Sequence, residues 1–397
     1  MSATQYRRSA LPRLILPIVL LGAIGFQLAQ GLAYQRRITP YKASYWLVTY
    51  EFGFTRRGLA GEVLRWFTGT APSLVTIEVV QYAVTALLVV LLLLVVRAAW
   101  RRNEERLDLA VVLLCCSPFV FDFVAFQRRP DQVGYAAVIA LGLFLHRFPH
   151  RRTVAAGLGG ALLTMSVAVS DSAFLACVGW ALALVLLVPG ETLRSARTWF
   201  RLALVAVPPA VMAVASATTG RLDESQVRSL GATAAKYRWT DVVVFPYLTD
   251  TLSQSVHRVA DMQRTMMIGS IAAGVVLLVL QGWLMLGLRW PLALPAASYR
   301  HPATLPVLAS GLGLVLLLLL GIDWFRWISG FGLMGTVTFA FAVLMRPEQP
   351  RTGERSTPPG GTLIVGGYLL AVAAFPNMIS VSEGFLQLLL AYNSAKP

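Results

Sequence analysis

Arg56 and Arg57 stand side by side in the segment SYWLVTYEFGFTRRGLAGEVLRWF, and their residue type suits a phosphate. A guanidinium donates paired hydrogen bonds to phosphate oxygens, and a helix starting nearby adds its free backbone N–H groups. Thr55 is the expected N-cap of that helix. Glu51 lies just upstream, where a carboxylate beside a phosphate-binding element can act as general base for an acceptor hydroxyl, unless an arginine holds it as a simple ion pair. A second basic group, Arg128 and Arg129, shares a short turn with Asp131 in FDFVAFQRRPDQVGY, and Pro130 stiffens that turn. Asp171, between Ser170 and Ser172, interrupts a long apolar stretch; its plain role is to make a turn, and its further role is to add an acid to the same set. In GIDWFRWISG, Asp323 and Arg326 are three residues apart, so a helix would put them on one face. Trp324 and Trp327 flank them, a combination of rings and polar groups suited to sugar, although tryptophans also belong to interfacial belts. The candidate catalytic carboxylates are therefore Glu51, Asp171 and Asp323. The candidate substrate-binding residues are Arg56, Arg57, Arg128, Arg129, Asp131, Trp324, Arg326 and Trp327.

The elements that must position these residues are membrane helices. The 397-residue chain is 56% hydrophobic and 13% charged, with a mean hydropathy of +0.65, whereas soluble domains carry about 25% charged residues. Apolar runs of roughly 18 residues, long enough to cross a bilayer, recur along the whole length, at about 14–34, 75–97, 109–126, 132–147, 153–169, 172–188, 201–218, 266–288, 303–322, 328–345 and 361–378. The expected fold is all-α: a polytopic transmembrane bundle of about eleven spans, forming a single membrane domain over residues 1–397. Its first outer loop, residues 35–73, is expected to carry an interfacial amphipathic helix, because Leu59, Val63, Trp66 and Phe67 recur at helical spacing while Arg57, Glu62 and Arg65 fall on other faces. A larger extracytoplasmic loop, residues 219–264, is expected to fold around short helices.

Charge fixes the expected orientation. The formal net charge of +15 would suggest nucleic acid in a soluble chain, but here the arginines sit in short loops between apolar runs, which is the positive-inside pattern. With a cytoplasmic N-terminus, alternation puts 18 basic and 6 acidic residues inside against 16 and 13 outside. The reading is a multi-pass protein of the bacterial inner membrane. Nucleic acid is not an expected partner. The outer arginines work against the orientation rule, so another constraint must retain them, and they coincide with the candidate residues.

At FTRRGL, RRPD and DWFRW the chain resembles bacterial envelope-glycan proteins, namely the GT-C-type glycosyltransferases and the Wzy-like polysaccharide polymerases. The resemblance implies a glycosyltransferase that takes sugar from a polyprenyl-phosphate-linked donor and passes it to a glycan acceptor at the extracytoplasmic face. It also implies a catalytic acid in the first outer loop, for which Glu51 is the matching residue and Glu62 the second, though the loop lacks the paired acids many such enzymes show. Membrane lipid, the polyprenyl-linked sugar donor and the glycan acceptor are the expected partners. The competing classes are a transporter or flippase of a lipid-linked or anionic solute, and a non-catalytic lipid-binding assembly subunit. No cofactor is expected. The sequence supports no metal site: Cys115, Cys116 and Cys177 lie in apolar runs without a CxxC, and the four histidines are scattered. The chain contains no GxxxxGK[ST], HExxH or GxSxG motif, which leaves nucleotide hydrolysis, zinc proteolysis and α/β-hydrolase chemistry without support.

An impermeant thiol reagent checks the orientation. Cysteines introduced at Gly53 and Gly231 should label from outside, and those at Arg102 and Gly353 only after permeabilisation. Labelling of Gly231→Cys from the cytoplasm alone would overturn the shared outer face.

Overall fold

The computed structural model describes residues 40–69, 72–102, 105–121, 123–124, 129–237, 245–249, 251–261, 264–287, 301–320 and 324–346. The expected first span, the expected span near 361–378, and the candidate residues Arg128 and Asp323 lie outside the described residues. The described residues are helical, with no strand among them. In chain order the helices are α1 (Pro40–Ser44), α2 (Gly58–Thr68), α3 (Leu74–Arg102), α4 (Glu105–Cys116), α5 (Pro118–Phe121), α6 (Gln132–Arg147), α7 (Arg152–Val169), α8 (Ala173–Leu187), α9 (Ala196–Thr218) and α10 (Glu224–Ala235). A 3-10 turn (Phe245–Leu248) follows, then α11 (Leu252–Asp261), α12 (Arg264–Gly287), α13 (Thr304–Leu320) and α14 (Trp324–Leu344).

Four described stretches, Leu74–Arg102, Arg152–Val169, Ala196–Thr218 and Arg326–Leu344, are long and apolar enough to cross a membrane; α6, α8 and α13 are shorter apolar helices. The last of the four is the axis of the bundle. Helix α14 packs against α3, α4, α5, α6, α8, α12 and α13, and its Leu333, Met334, Val337, Phe339 and Phe341 are buried. By contrast α3 shows Leu87, Val90, Leu93 and Leu94 to the outside, and α9 shows Val207, Val211 and Val214. A soluble protein would bury such rows; around a membrane bundle they face lipid tails.

Two local features differ from a simple reading of apolar runs. The run from about 109 to 126 breaks at Ser117, because Pro118 has no N–H to continue the ladder. The break is tied down by Gln281, which accepts a hydrogen bond from the Ser117 hydroxyl at 2.7 Å and donates to the Gly332 carbonyl and the Thr336 hydroxyl, both at 2.9 Å. The second feature is the closeness of α7 and α9: a Cβ on Gly160 would run into the Leu204 carbonyl oxygen.

The charges are sorted to opposite ends of the helices. At one end buried Glu191, in the α8–α9 loop, accepts from Arg152 at 2.9 Å, from Arg201 and from Thr198 at 2.6 Å. At that end Arg102 also donates to the C-terminal carbonyls of Val343 (3.0 Å), Leu344 and Arg346, closing the end of α14. At the other end lies Asp171, separated from the Glu191 loop by the 15 residues of α8, about 22 Å of helix.

The α7–α9 contact gives a stability prediction. Gly160→Ala should lower the melting temperature of the detergent-purified protein, since overpacking costs about 1–3 kcal/mol. Gly157, three residues earlier with nothing within 4 Å of its built Cβ, should tolerate alanine or gain slightly from it.

Candidate functional site

Helix α1 is a single turn, PYKAS, with Pro40 at its first position, where the missing N–H costs nothing. The turn continues past its end through Trp46 N–H to Ala43 O at 3.0 Å. Tyr41 and Tyr45 are therefore four residues apart on one helical face. Their hydroxyls hydrogen-bond at 3.0 Å, and their rings meet edge to face with centroids 5.5 Å apart. Lys42 and Tyr45 are buried.

The next segment brings in the arginine pair. Helix α2 starts at Gly58, so Thr55 is not its N-cap as expected; the Thr55 hydroxyl donates to the Gly53 carbonyl at 3.2 Å instead. The start is delayed because Arg56 N–H is taken by the Gly220 carbonyl at 2.8 Å, across from the end of α9. A Cβ on Gly220 would stand 2.7 Å from the Arg56 nitrogen, so only glycine allows this approach. Arg57 then occupies the N-cap with φ +65°, the one non-glycine residue at positive φ among the described residues. For an L-residue with a long side chain that conformation costs on the order of 1–2 kcal/mol. Backbone strain of this kind concentrates at functional sites.

The strained backbone aims Arg57 at Asp171. Its Nε donates to Asp171 Oδ1 at 2.9 Å, and the same carboxylate oxygen accepts Ser172 N–H at 3.0 Å. Among the described residues, the four Nη N–H donors of Arg57 and the second oxygen of Asp171 make no hydrogen bond. Both side chains keep a little exposure, 19% and 25%, so these groups can be reached by a ligand. Burial would push the Asp171 carboxyl up, but Arg57, then Arg56, hold it below its ordinary value. Arg57 is itself raised above its ordinary value, burial being outweighed by the Asp171 charge.

Arg129 joins the site through the tyrosines. Its guanidinium lies 4.8 Å from the Tyr41 ring centroid and 5.7 Å from that of Tyr45, while Arg57 lies 5.5 Å from Tyr45. The turn after Arg129 delivers Asp131, held in place by Gln132, whose side chain donates to the Phe123 carbonyl at 2.8 Å and accepts from Thr85 at 2.8 Å. Asp131 faces Arg326 at the start of α14, Oδ2 to Nη1, at 3.2 Å. Arg326 in turn stacks 3.8 Å from the centroid of Trp327. Contacts thus join Asp171, Arg57, Tyr45 and Arg129 in one group and Asp131, Arg326 and Trp327 in a second, and the turn at Pro130 connects the two along the chain.

Not every candidate joins these two groups. Glu51 is exposed, its charge acting on Arg65 of α2. Glu62 is buried, accepting from Tyr50 N–H at 3.1 Å and from Arg65 at 2.6 Å. Trp324 is buried with its indole N–H donating to the Leu318 carbonyl at 2.9 Å. Tyr41, Tyr45 and Gly220 entered the site without being singled out beforehand; the i, i+4 spacing of the tyrosines was the available signal. Among the described residues no three His, Cys, Asp or Glu side chains group as metal ligands.

The strain and the ion pair are separable by mutation. Arg57→Gln and Arg57→Gly both remove the pair, worth about 1.5–3 kcal/mol for a charge-assisted bond, but glycine accepts the left-handed backbone, so Arg57→Gly should melt higher than Arg57→Gln. A depressed carboxyl stabilises the fold above its unfolded pKa and loses that contribution as pH falls through its folded one. The melting difference between wild type and Asp171→Asn should therefore stay constant from about pH 5 to 8 and shrink below about pH 4. A difference that grows on acidification would contradict the pairing.

A family model described as uncharacterised membrane protein Rv1490 matches residues 18–229, a stretch that includes Arg56, Arg57, Arg129, Asp131 and Asp171. The uncharacterized proteins Rv1490 of Mycobacterium tuberculosis (strain ATCC 25618 / H37Rv) and Mb1527 of Mycobacterium bovis are each 27% identical over 341 residues, covering 77% of this chain and 77% of their own length. No solved structure matches. The match spans more than half of the chain and agrees with the helical architecture, and on it this chain belongs to the Rv1490 family of bacterial membrane proteins.

Proposed function

We propose that the protein is a membrane glycosyltransferase acting on a polyprenyl-phosphate-linked sugar, with its reaction centre at the Arg57–Asp171 pair. The observation that carries this reading is the single-pronged contact: Asp171 takes only the Nε of Arg57 and leaves its own second oxygen and the Nη edge of the guanidinium without hydrogen bonds to described residues. A carboxylate kept ionised is ready to accept a proton, and a guanidinium edge beside it is ready for phosphate oxygens. In the proposed step the acceptor hydroxyl attacks the anomeric carbon and its proton passes to Asp171. The bond from that carbon to the phosphate oxygen breaks, and the electron pair leaves on the polyprenyl phosphate. Arg56, Arg57 and Arg129 neutralise the charge that develops there. Geometry favours Asp171 over the exposed Glu51 as the base. Helix α2, with Trp66 70% and Phe67 84% exposed, suits an interfacial position from which the lipid chain can reach the arginines. The Asp131–Arg326 pair and Trp327 back the site where the sugar would lie.

A carrier or flippase is the second reading, and one observation favours it: the Asp131–Arg326 pair is buried between α6 and α14, and buried ion pairs in membrane bundles often lie on transport paths. Reconstitution in vesicles separates the two. With a polyprenyl-phosphate-linked sugar and a glycan acceptor, the protein should release polyprenyl phosphate without an ion gradient. Asp171→Asn should cut turnover by about 100-fold or more, and Arg57→Gln by about 10- to 100-fold. Gradient-dependent movement of the lipid without a covalent product would establish the carrier. Binding with neither product nor movement would leave a lipid-binding subunit.

A further inference from the structure

The buried charges at the Glu191 end are saturated, so what that end can bind lies outside them. Residues 147–152 and 189–201 carry six arginines against one acid, Glu191. Two of the six, Arg152 and Arg201, are taken by that carboxylate. The other four, Arg147, Arg151, Arg194 and Arg197, are exposed. Among the described residues their side chains make no ion pair or hydrogen bond, and Arg147 meets only the ring of Phe148, 5.9 Å from its centroid. We propose that these four arginines form a binding site for the phosphate headgroup of an anionic phospholipid, a site independent of the reaction proposed at Asp171.

Loop charge of one sign is ordinary in a membrane protein and by itself needs no ligand. Two features of this cluster go further. The arginines belong to two separate loops, before α7 and before α9, which like charge drives apart. Glu191 holds these loops together through Arg152 on one side and Thr198 and Arg201 on the other, and Arg201 Nε also donates to the Thr153 hydroxyl at 3.1 Å. Arg151 is the chain neighbour of Arg152, and Arg197 of Thr198, so the clasp fixes both outward arginines. Cations assembled before the ligand arrives lower the cost of binding it.

The second feature is what lies beside them. The Trp199 indole N–H donates to the Leu193 carbonyl at 2.8 Å while its ring stays 57% exposed, and Phe200 is 57% exposed. Rings held this way belong at the boundary between lipid and water. Below them Val207, Val211 and Val214 are exposed as well. Arg197, Phe200, Val207, Val211 and Val214 fall at spacings of three, seven, four and three, so they share one face of α9. That face has the order of a phospholipid: guanidinium forks at the level of the phosphate, then an apolar row for the acyl chain. A soluble anion would leave the row unused.

The test uses the full-length protein in a neutral detergent, incubated with equimolar cardiolipin and phosphatidylcholine, with bound lipids counted by native mass spectrometry. The wild type should retain cardiolipin over phosphatidylcholine by about tenfold or more. The double variant Arg151→Gln/Arg197→Gln should lose about tenfold in cardiolipin retention, yet melt as the wild type does in the absence of lipid. Arg97→Gln/Arg101→Gln removes the same charge from two exposed arginines at the same end of the bundle, on α3 and outside the Glu191 clasp, and should keep the preference. Equal retention of the two lipids by the wild type overturns the proposal whether or not any variant folds. Equal loss in the two double variants overturns it as well, since attraction is then spread over the basic end and no site exists. Loss confined to Arg151→Gln/Arg197→Gln upholds it.

Discussion

A guanidinium withdrawn from water keeps its charge at any accessible pH, so the fold around it must supply a partner before anything else can be built there. At the Asp171 end of this bundle that constraint determines local structure. Arg57 meets Asp171 by adopting a left-handed backbone, which delays the start of α2 to Gly58, and a side chain at Gly58 would collide with Tyr50 at 2.5 Å. Arg129 meets the rings of α1, and Arg326 meets Asp131 and Trp327. The one-turn helix α1, the glycine at 220 and the turn before α6 follow from these pairings more than from local helix propensity.

The opposite end answers the same constraint differently. There Glu191, 1% exposed at its side chain, is saturated by Arg152, Arg201 and Thr198, and Arg102 spends its donors on the last carbonyls of α14. Both arrangements close charges and helix ends among themselves and leave little for a ligand. At the Asp171 end aromatic faces stand beside the carboxylates, and among the described residues the second oxygen of Asp171 takes no hydrogen bond. The contrast between a saturated end and an open one, within one bundle and under one dielectric, separates scaffold from site more clearly than charge counts do.

The sequence revealed the helices wherever a long apolar run had charged flanks. The runs expected at 132–147, 153–169 and 172–188 became α6, α7 and α8 with ends shifted by no more than a residue or so, because hydrocarbon length and loop charge act together on such runs. The break at Ser117–Pro118 was signalled by a proline inside the run that hydropathy alone passes over, while its anchor, Gln281, is brought in by α12 from far along the chain. Arg56, Arg57, Arg129, Asp131, Asp171 and Arg326 stood out because charge is costly in such a chain. Tyr41 and Tyr45 did not, because tyrosines are ordinary at membrane interfaces. The backbone of Arg57 was invisible for another reason: its conformation is imposed by the Gly220 carbonyl, a tertiary contact that no local pattern encodes. Glu51 was favoured by nearness in sequence to Arg56, yet the turn at Gly53 leaves it on the exposed rim.

The strain at Arg57 also bears on what the site does. Were the Asp171 pair there only to stabilise the fold, the guanidinium would gain most by turning both Nε and Nη onto the carboxylate, since the two-pronged contact is the stronger. The structure holds a one-pronged contact instead, on a backbone that costs more than the ordinary helical one. The surrounding packing fixes this arrangement: the Arg56 N–H held by Gly220 O on one side, the Tyr45 ring on the other. Under the proposed transfer, a geometry that sacrifices stability locally while keeping one oxygen and one donor edge open would need little rearrangement when charge develops between them.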